Sequence, residues 1–211
     1  MVYTDYDIMP ALQLHQLRVA AVAKLICENV VKPINNRDVI LACLFHDMGN
    51  IIKSDLTKFP EFRAEKGLPY WEEIKASFIE KYGTNSHRAN VAIAKEIGLP
   101  PQAIFYIDGV SFSNLAKVVE SDSREQKICE YADTRVGPYG VLSLKERLKE
   151  ARSRYIESGK SYYSEEGFER LSRSAEELER QISAEMKITP EDVTDAVVAP
   201  LAEELRKYSV A

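Results

Sequence analysis

Residues 41–50 read Leu41-Ala42-Cys43-Leu44-Phe45-His46-Asp47-Met48-Gly49-Asn50, an apolar helical run that ends in two adjacent metal-type ligands. Leu41, Leu44 and Phe45 form one buried face. His46 and Asp47 then fall in the last turn, and Gly49 reads as a left-handed helix stop. A carboxylate at the end of a buried helix is costly unless it is paired or coordinated. A divalent cation meets that need.

One His-Asp pair is at most half a metal site, so the remaining ligands must come from elsewhere in the chain. The sequence has only three histidines, His15, His46 and His87. Upstream, Leu12, His15, Val19, Val22 and Ile26 share one face of a helix expected over Pro10–Asn29, with Pro10 suited to its first turn. His15 therefore points inward, and Arg18 lies one turn along. Downstream, Asp133 is one turn from both Cys129 and Val136 on another apolar helix, with no Lys or Arg four residues away. Taken singly, an inward histidine is more often a hydrogen-bonded core residue than a ligand. In the company of His46-Asp47 and Asp133 it reads as a ligand.

The order His15, His46-Asp47, Asp133 resembles the HD-domain superfamily of metal-dependent phosphohydrolases. The local patterns His15-Gln16-Leu17-Arg18-Val19-Ala20, His46-Asp47-Met48-Gly49 and Ala132-Asp133-Thr134-Arg135 are also similar to it. The resemblance spans about residues 10 to 140. It implies an all-α, HD-domain-like helical bundle with additional C-terminal helices. Residues 1–140 would form the metal-binding core, and residues 141–211 a charged helical extension packing on that core or on a partner. Facing helices with inward ligands build such sites in other bundles.

Two imidazoles and two carboxylates make a mixed N/O set without thiolates, suited to Mn, Fe, Co or Mg as the divalent ion. Such an ion polarises a phosphoryl group and acidifies water. The resemblance thus implies an enzyme, a metal-dependent phosphohydrolase acting on a nucleotide or another small phosphomonoester. Its metal ligands would be His15, His46, Asp47 and Asp133. Arg18, Lys53 and His87 would contact the phosphorylated substrate, with Arg135 as a third cation. Asp47 and His87 are the expected catalytic residues. In some HD proteins a third histidine at the place of His87, opening a helix that ends in Gly-Leu, serves a second metal or the phosphate. Two-metal members carry a further histidine downstream, where this chain reads Ala103 to Val110 with none. One ion is therefore expected and a second left open, with Asp108 the available substitute ligand. The positions after His-Asp that bear an acid in some members are Asn50, Ile51 and Ile52. That departure counts against a ppGpp-hydrolase-like site. The His-rich pattern of cyclic-dinucleotide phosphodiesterases is also missing. The alternative is a non-catalytic metal- or nucleotide-binding HD module with a sensing role. A helical scaffold with hydrogen-bonded polar residues is a third reading.

Composition narrows the classes. A chain of 211 residues, 45% hydrophobic, can bury one sizeable core with an appendage. A net charge of −5 argues against general nucleic-acid binding, which needs a basic footprint. Cys27, Cys43 and Cys129 have no CxxC spacing and read as small core residues in a reducing compartment. No basic segment followed by an apolar stretch opens the chain, and no run approaches ~18 apolar residues. The expectation is a cytoplasmic protein without membrane contact. Phosphate-cradling GxGxxG and GxxxxGK[ST] motifs are absent.

Elsewhere, residues 1–9 read as an extended arm and the His-Asp helix starts at Asn35 or Asn36. Asn50 to Trp71 is irregular, with Phe59, Pro60, Phe62, Arg63, Lys66 and Tyr70. It reads equally as a lid over the metal and as an ordinary surface loop. Helices are expected over 71–82, from Asn85 or Ser86 to Gly98, over 111–120, and from a cap at Ser121-Asp122-Ser123 through Asp133 and Val136 to a sharp stop at Gly137. Leu144, Leu148, Ala151 and Tyr155 make one apolar stripe. Phe168, Leu171, Ala175, Leu178 and Ile182 make another. Thr189-Pro190-Glu191-Asp192 reads as a helix start, and Pro200 as a break or kink in the last helix. The C-terminal helices can carry a homodimer contact.

Overall fold

The computed structural model describes residues 2–58, 65–157 and 164–208, with backbone alone at 155–157. Phe59, Pro60, Phe62 and Arg63, the apolar and charged centre of the expected lid, lie outside the described residues, as does the side chain of Tyr155. The described chain is all-α, with helices α1 (Val2–Asp5), α2 (Pro10–Asn29), α3 (Asn36–Phe45), α4 (Gly67–Tyr82), α5 (Ser86–Glu96), α6 (Pro101–Gly109), α7 (Leu115–Glu120), α8 (Arg124–Thr134), α9 (Leu144–Glu157), α10 (Glu165–Ser183) and α11 (Asp195–Leu205). Short 3-10 turns cover Asn50–Lys53, Phe112–Asn114 and Pro190–Asp192.

The centre is the pair α2 and α3. Every residue of α3 from Val39 to Phe45 is buried, and α2 buries Leu17, Val19–Ala23, Ile26 and Cys27. A helix apolar on nearly all sides must be covered on nearly all sides. Accordingly α8 packs on both α2 and α3, α6 covers α3, and α11 lies along α2. Burying each large aliphatic or aromatic side chain contributes roughly 1.5–3 kcal/mol. Helices α4 and α5 pack on the 3-10 turn after α3, and α10 covers α7 and α8. The two C-terminal stripes are buried at Leu144, Leu148, Ala151, Phe168, Ala175, Leu178 and Ile182. Among the described residues, no helix is long and apolar enough to cross a membrane.

Several local expectations are corrected. Residues 2–5 are helical rather than extended, because buried Tyr3 anchors them: its hydroxyl donates to the Leu44 carbonyl at the end of α3. Helix α4 starts at Gly67, earlier than expected, with Trp71 already buried one turn in. The stretch 111–120 divides into a 3-10 turn and the short α7. Thr189 and Asp192 do form a reciprocal capping box, yet the helix it opens is only the 3-10 turn Pro190–Asp192. Of the break or kink expected at Pro200, the break is absent: α11 runs through it from Asp195 to Leu205. Gly49 is not left-handed, with φ −94° and ψ 6°. Its lack of a side chain is needed because Ala89 and Ser86 of α5 stand against it.

Candidate metal centre

Three helices and one turn bring the expected ligands together. Helix α2 presents His15, and α8 presents Asp133. Helix α3 ends at Phe45, so His46 and Asp47 sit in the tight turn that follows it. Ser123 caps α8 by accepting the Gln126 N–H at 3.1 Å, which sets the start and phase of the helix bearing Asp133. His15 Nε2 lies 3.1 Å from Asp133 Oδ1 and 3.6 Å from Asp47 Oδ2. His46 Nε2 lies 3.3 Å from Asp133 Oδ1 and 3.6 Å from Asp47 Oδ2. One ligand atom each from His15, His46 and Asp47 falls within 4.8 Å of the others, a spacing at which a single ion can be shared. The side chain of His46 is 2% exposed, whereas those of His15, Asp47 and Asp133 are 19%, 18% and 26% exposed. The cluster is therefore closed behind His46 and open to solvent on its other side.

The hydrogen bonds of His46 test the fit of a cation. Its Nδ1–H donates to the Cys43 carbonyl at 2.8 Å. That leaves Nε2 as the free ring nitrogen, aimed at the carboxylates, the tautomer a metal ligand requires. Nε2 is buried and meets the hydrogen-bond geometry with no group among the described residues. A buried lone pair facing two carboxylates is repulsive unless a proton or a metal ion stands between them. Without an ion the proton takes that place. Burial opposes charge on His46, but Asp47 and then Asp133 outweigh it and push its pKa up to about 10. Loss of water likewise opposes ionisation of Asp133, and its bond to His15 together with the neighbouring His46 imidazole overcomes this and holds it well below the usual carboxylate range. The donor set and the tautomer fit a divalent cation.

The cations expected around the phosphate divide. Arg18 is half-buried and Lys53 exposed, and neither has a hydrogen-bond or ion-pair partner among the described residues. Arg135 is taken: its guanidinium is buried and donates to the carbonyls of Leu142, Pro190 and Val193 and to the Tyr131 hydroxyl. It is a structural staple, unavailable to a ligand. His87, at the start of α5, is partly exposed and holds Asp108 Oδ1 at 3.0 Å through Nε2. Neither joins the His15–His46–Asp47 group within ligand-sharing distance.

The ordered ligands on an all-α fold raise the question of kinship. The HD domain family model matches residues 13–135, more than half of the chain. The chain belongs to the HD-domain family. HD domains are largely metal-dependent hydrolases and typically bind divalent metals. No curated protein and no solved structure matches the chain.

In this HD domain three buried polar residues beside the cluster escaped the sequence reading. Gln16 is fully buried, and its Oε1 accepts the Asp47 N–H at 3.1 Å. Asn90 is 5% exposed, and its Oδ1 accepts the Gly49 N–H at 2.6 Å. Glu130 is fully buried one turn before Asp133, with Oε2 accepting the Ser111 N–H at 2.8 Å and Oε1 unpartnered among the described residues. A signal existed for two of them. Gln16 shares a helical row with Ala20, Ala23 and Cys27, and Asn90 with Ile93, Ala94 and Ile97. A polar residue on such a row is a candidate for burial.

Proposed function

We propose that this HD domain is a metal-dependent phosphohydrolase acting on a nucleotide or another small phosphomonoester. The observation that carries the reading is the convergence of His15, His46, Asp47 and Asp133, with a buried Nε2 on His46 that faces both carboxylates and makes no hydrogen bond among the described residues. These four residues would hold one divalent ion, Mn²⁺, Fe²⁺, Co²⁺ or Mg²⁺. Bound there, the ion supplies Lewis acidity to the phosphoryl oxygen and acidifies its water. The remaining work falls to the chain. The Cys43 carbonyl keeps the imidazole of His46 in its ligand tautomer. Arg18, with no carboxylate partner among the described residues, is placed one turn beyond His15 to neutralise phosphate charge. Lys53, at the end of the Asn50–Lys53 turn, likewise has no partner among the described residues. His87, oriented by Asp108, is the group we assign to the leaving oxygen or to a phosphate contact.

One observation favours a second reading, a sensing module that binds without turnover. The turn after His-Asp offers no acid: Asn50, Ile51 and Ile52 are all buried. Phosphate release decides between the two readings. A panel of nucleotides and phosphomonoesters would be incubated with the chain in Mn²⁺, Co²⁺, Mg²⁺ or chelator, beside Asp47→Ala. The hydrolase reading expects metal-dependent release that Asp47→Ala abolishes. Stoichiometric metal binding without release from any compound would favour the sensor. Neither metal nor release would reject both.

A further inference from the structure

The turn that carries His46 and Asp47 is held from two sides by buried carboxamides. Gln16 on α2 takes the N–H of Asp47, and Asn90 on α5 takes the N–H of Gly49. Around them the turn makes its own short bonds, Asn50 N–H to the Asp47 carbonyl and Ile52 N–H to the Gly49 carbonyl. The N–H groups of Asp47 and Gly49 follow the end of α3 and are satisfied by these two side chains. A buried N–H without a partner is destabilising, so each carboxamide is held in place by what it satisfies. Gln16 also has a fixed back: its Nε2 lies against Met48 Sδ at 3.9 Å.

Gln16 is the residue after His15. Its side chain therefore links the backbone that carries one imidazole to the backbone that carries one carboxylate. We propose that Gln16 is a positioning residue for the metal centre, setting the separation of His15 and Asp47, with Asn90 as its counterpart from α5. A covalent path of many residues joins His15 to Asp47 along the chain, whereas the Gln16 bond joins their neighbourhoods directly. Without it Asp47 keeps its carboxylate but loses the constraint that points it at His15 and His46. The inference rests on the metal reading of the four-residue cluster and adds a residue to it.

Co²⁺ binding to the full-length, chelator-treated chain tests it, read by affinity and by the visible absorption of the bound ion. Thermal midpoints in chelator are measured alongside. Gln16→Met keeps the side-chain bulk and removes the acceptor. The expected result is Co²⁺ bound roughly 10–100-fold more weakly, as for other groups that orient metal ligands. Its spectrum should also shift toward that of Asp47→Asn. A lowered thermal midpoint with unchanged affinity and spectrum would mean that Gln16 only packs, and would overturn the inference while leaving the metal reading intact. Absence of Co²⁺ binding by the unaltered chain would instead overturn the metal reading itself. If Gln16→Met does not fold, amide exchange of the unaltered chain decides. Slow exchange at Asp47 that slows further with Mn²⁺ supports the inference, and any lesser response overturns it.

Discussion

His46 is where burial and charge conflict most directly. With its pKa pushed up to about 10, the metal-free chain keeps a proton on this imidazole at neutral pH, and an arriving cation must expel it. Metal affinity should therefore rise with pH below that value, by up to about tenfold per unit for one displaced proton. Calorimetric titration with Mn²⁺ at two pH values, in buffers of different ionisation enthalpy, reads both the affinity and the proton release. An affinity flat with pH would contradict it. Glu130 is the second such residue. Burial first, then Asp133, pushes its pKa up to about 8, while the Ser111 N–H and His46 hold it down. Its folded value lies above the ordinary glutamate range, so the neutral acid is the form the fold accommodates. The stabilisation is full below the unfolded value near ~4.3 and is lost as pH rises toward 8, on the order of a few kcal/mol. Urea midpoints in chelator should fall across that window, and Glu130→Gln should flatten the fall.

Between elements, Gly49 is held close against α5. A Cβ on Gly49 would stand 2.6 Å from the Ala89 Cβ and 3.0 Å from the Ser86 carbonyl oxygen. Both belong to the helix that also supplies Asn90 and His87, so α5 cannot retreat without releasing the Gly49 N–H. Gly49→Ala should cost about 1–3 kcal/mol through overpacking. The pair Gly49→Ala with Ala89→Gly should recover part of it in a denaturation series. No recovery would place the strain at Ser86 instead. The caps act at the same scale. Removing the Ser123 side chain, as Ser123→Ala, should cost about 0.5–2 kcal/mol and loosen the helix that bears Asp133.

Across the whole molecule, the C-terminal helices share the core of the site-bearing ones. Val198, Ala202 and Leu205 of α11 are buried in the same cluster as Val19, Val22 and Ile26 of α2. Arg135, two residues past Asp133, ties α8 to the Pro190–Asp192 turn through the carbonyls of Pro190 and Val193. Arg135→Met would remove the guanidinium donor from the Val193 and Leu142 carbonyls and one of two donors from the Pro190 carbonyl, and should cost about 3 kcal/mol or more. A chain ending at residue 140 should fail to unfold cooperatively, because α2 would lose the cover of α11. A cooperative calorimetric transition from that fragment would show the first 140 residues to be self-sufficient.

The sequence by itself determined the helical class, the limits of α2, and the four residues that meet at the cluster. Those signals are local: apolar residues at spacings of three and four, a proline at a helix start, and charged or imidazole side chains on otherwise apolar faces. Tertiary structure alone decided what the remaining polar residues do. Arg18 and Arg135 look alike as basic residues near ligand motifs, yet one has no partner among the described residues and the other is consumed by carbonyls that come from 55 and 58 residues further on. Gly49 looks like a helix stop, and the reason for it is Ala89 and Ser86 on another helix. Gln16 and Asn90 acquire their roles only when two N–H groups of a distant turn are buried against them. Local pattern carries periodicity and end signals, whereas a hydrogen-bond partner is a property of packing between segments far apart in the chain.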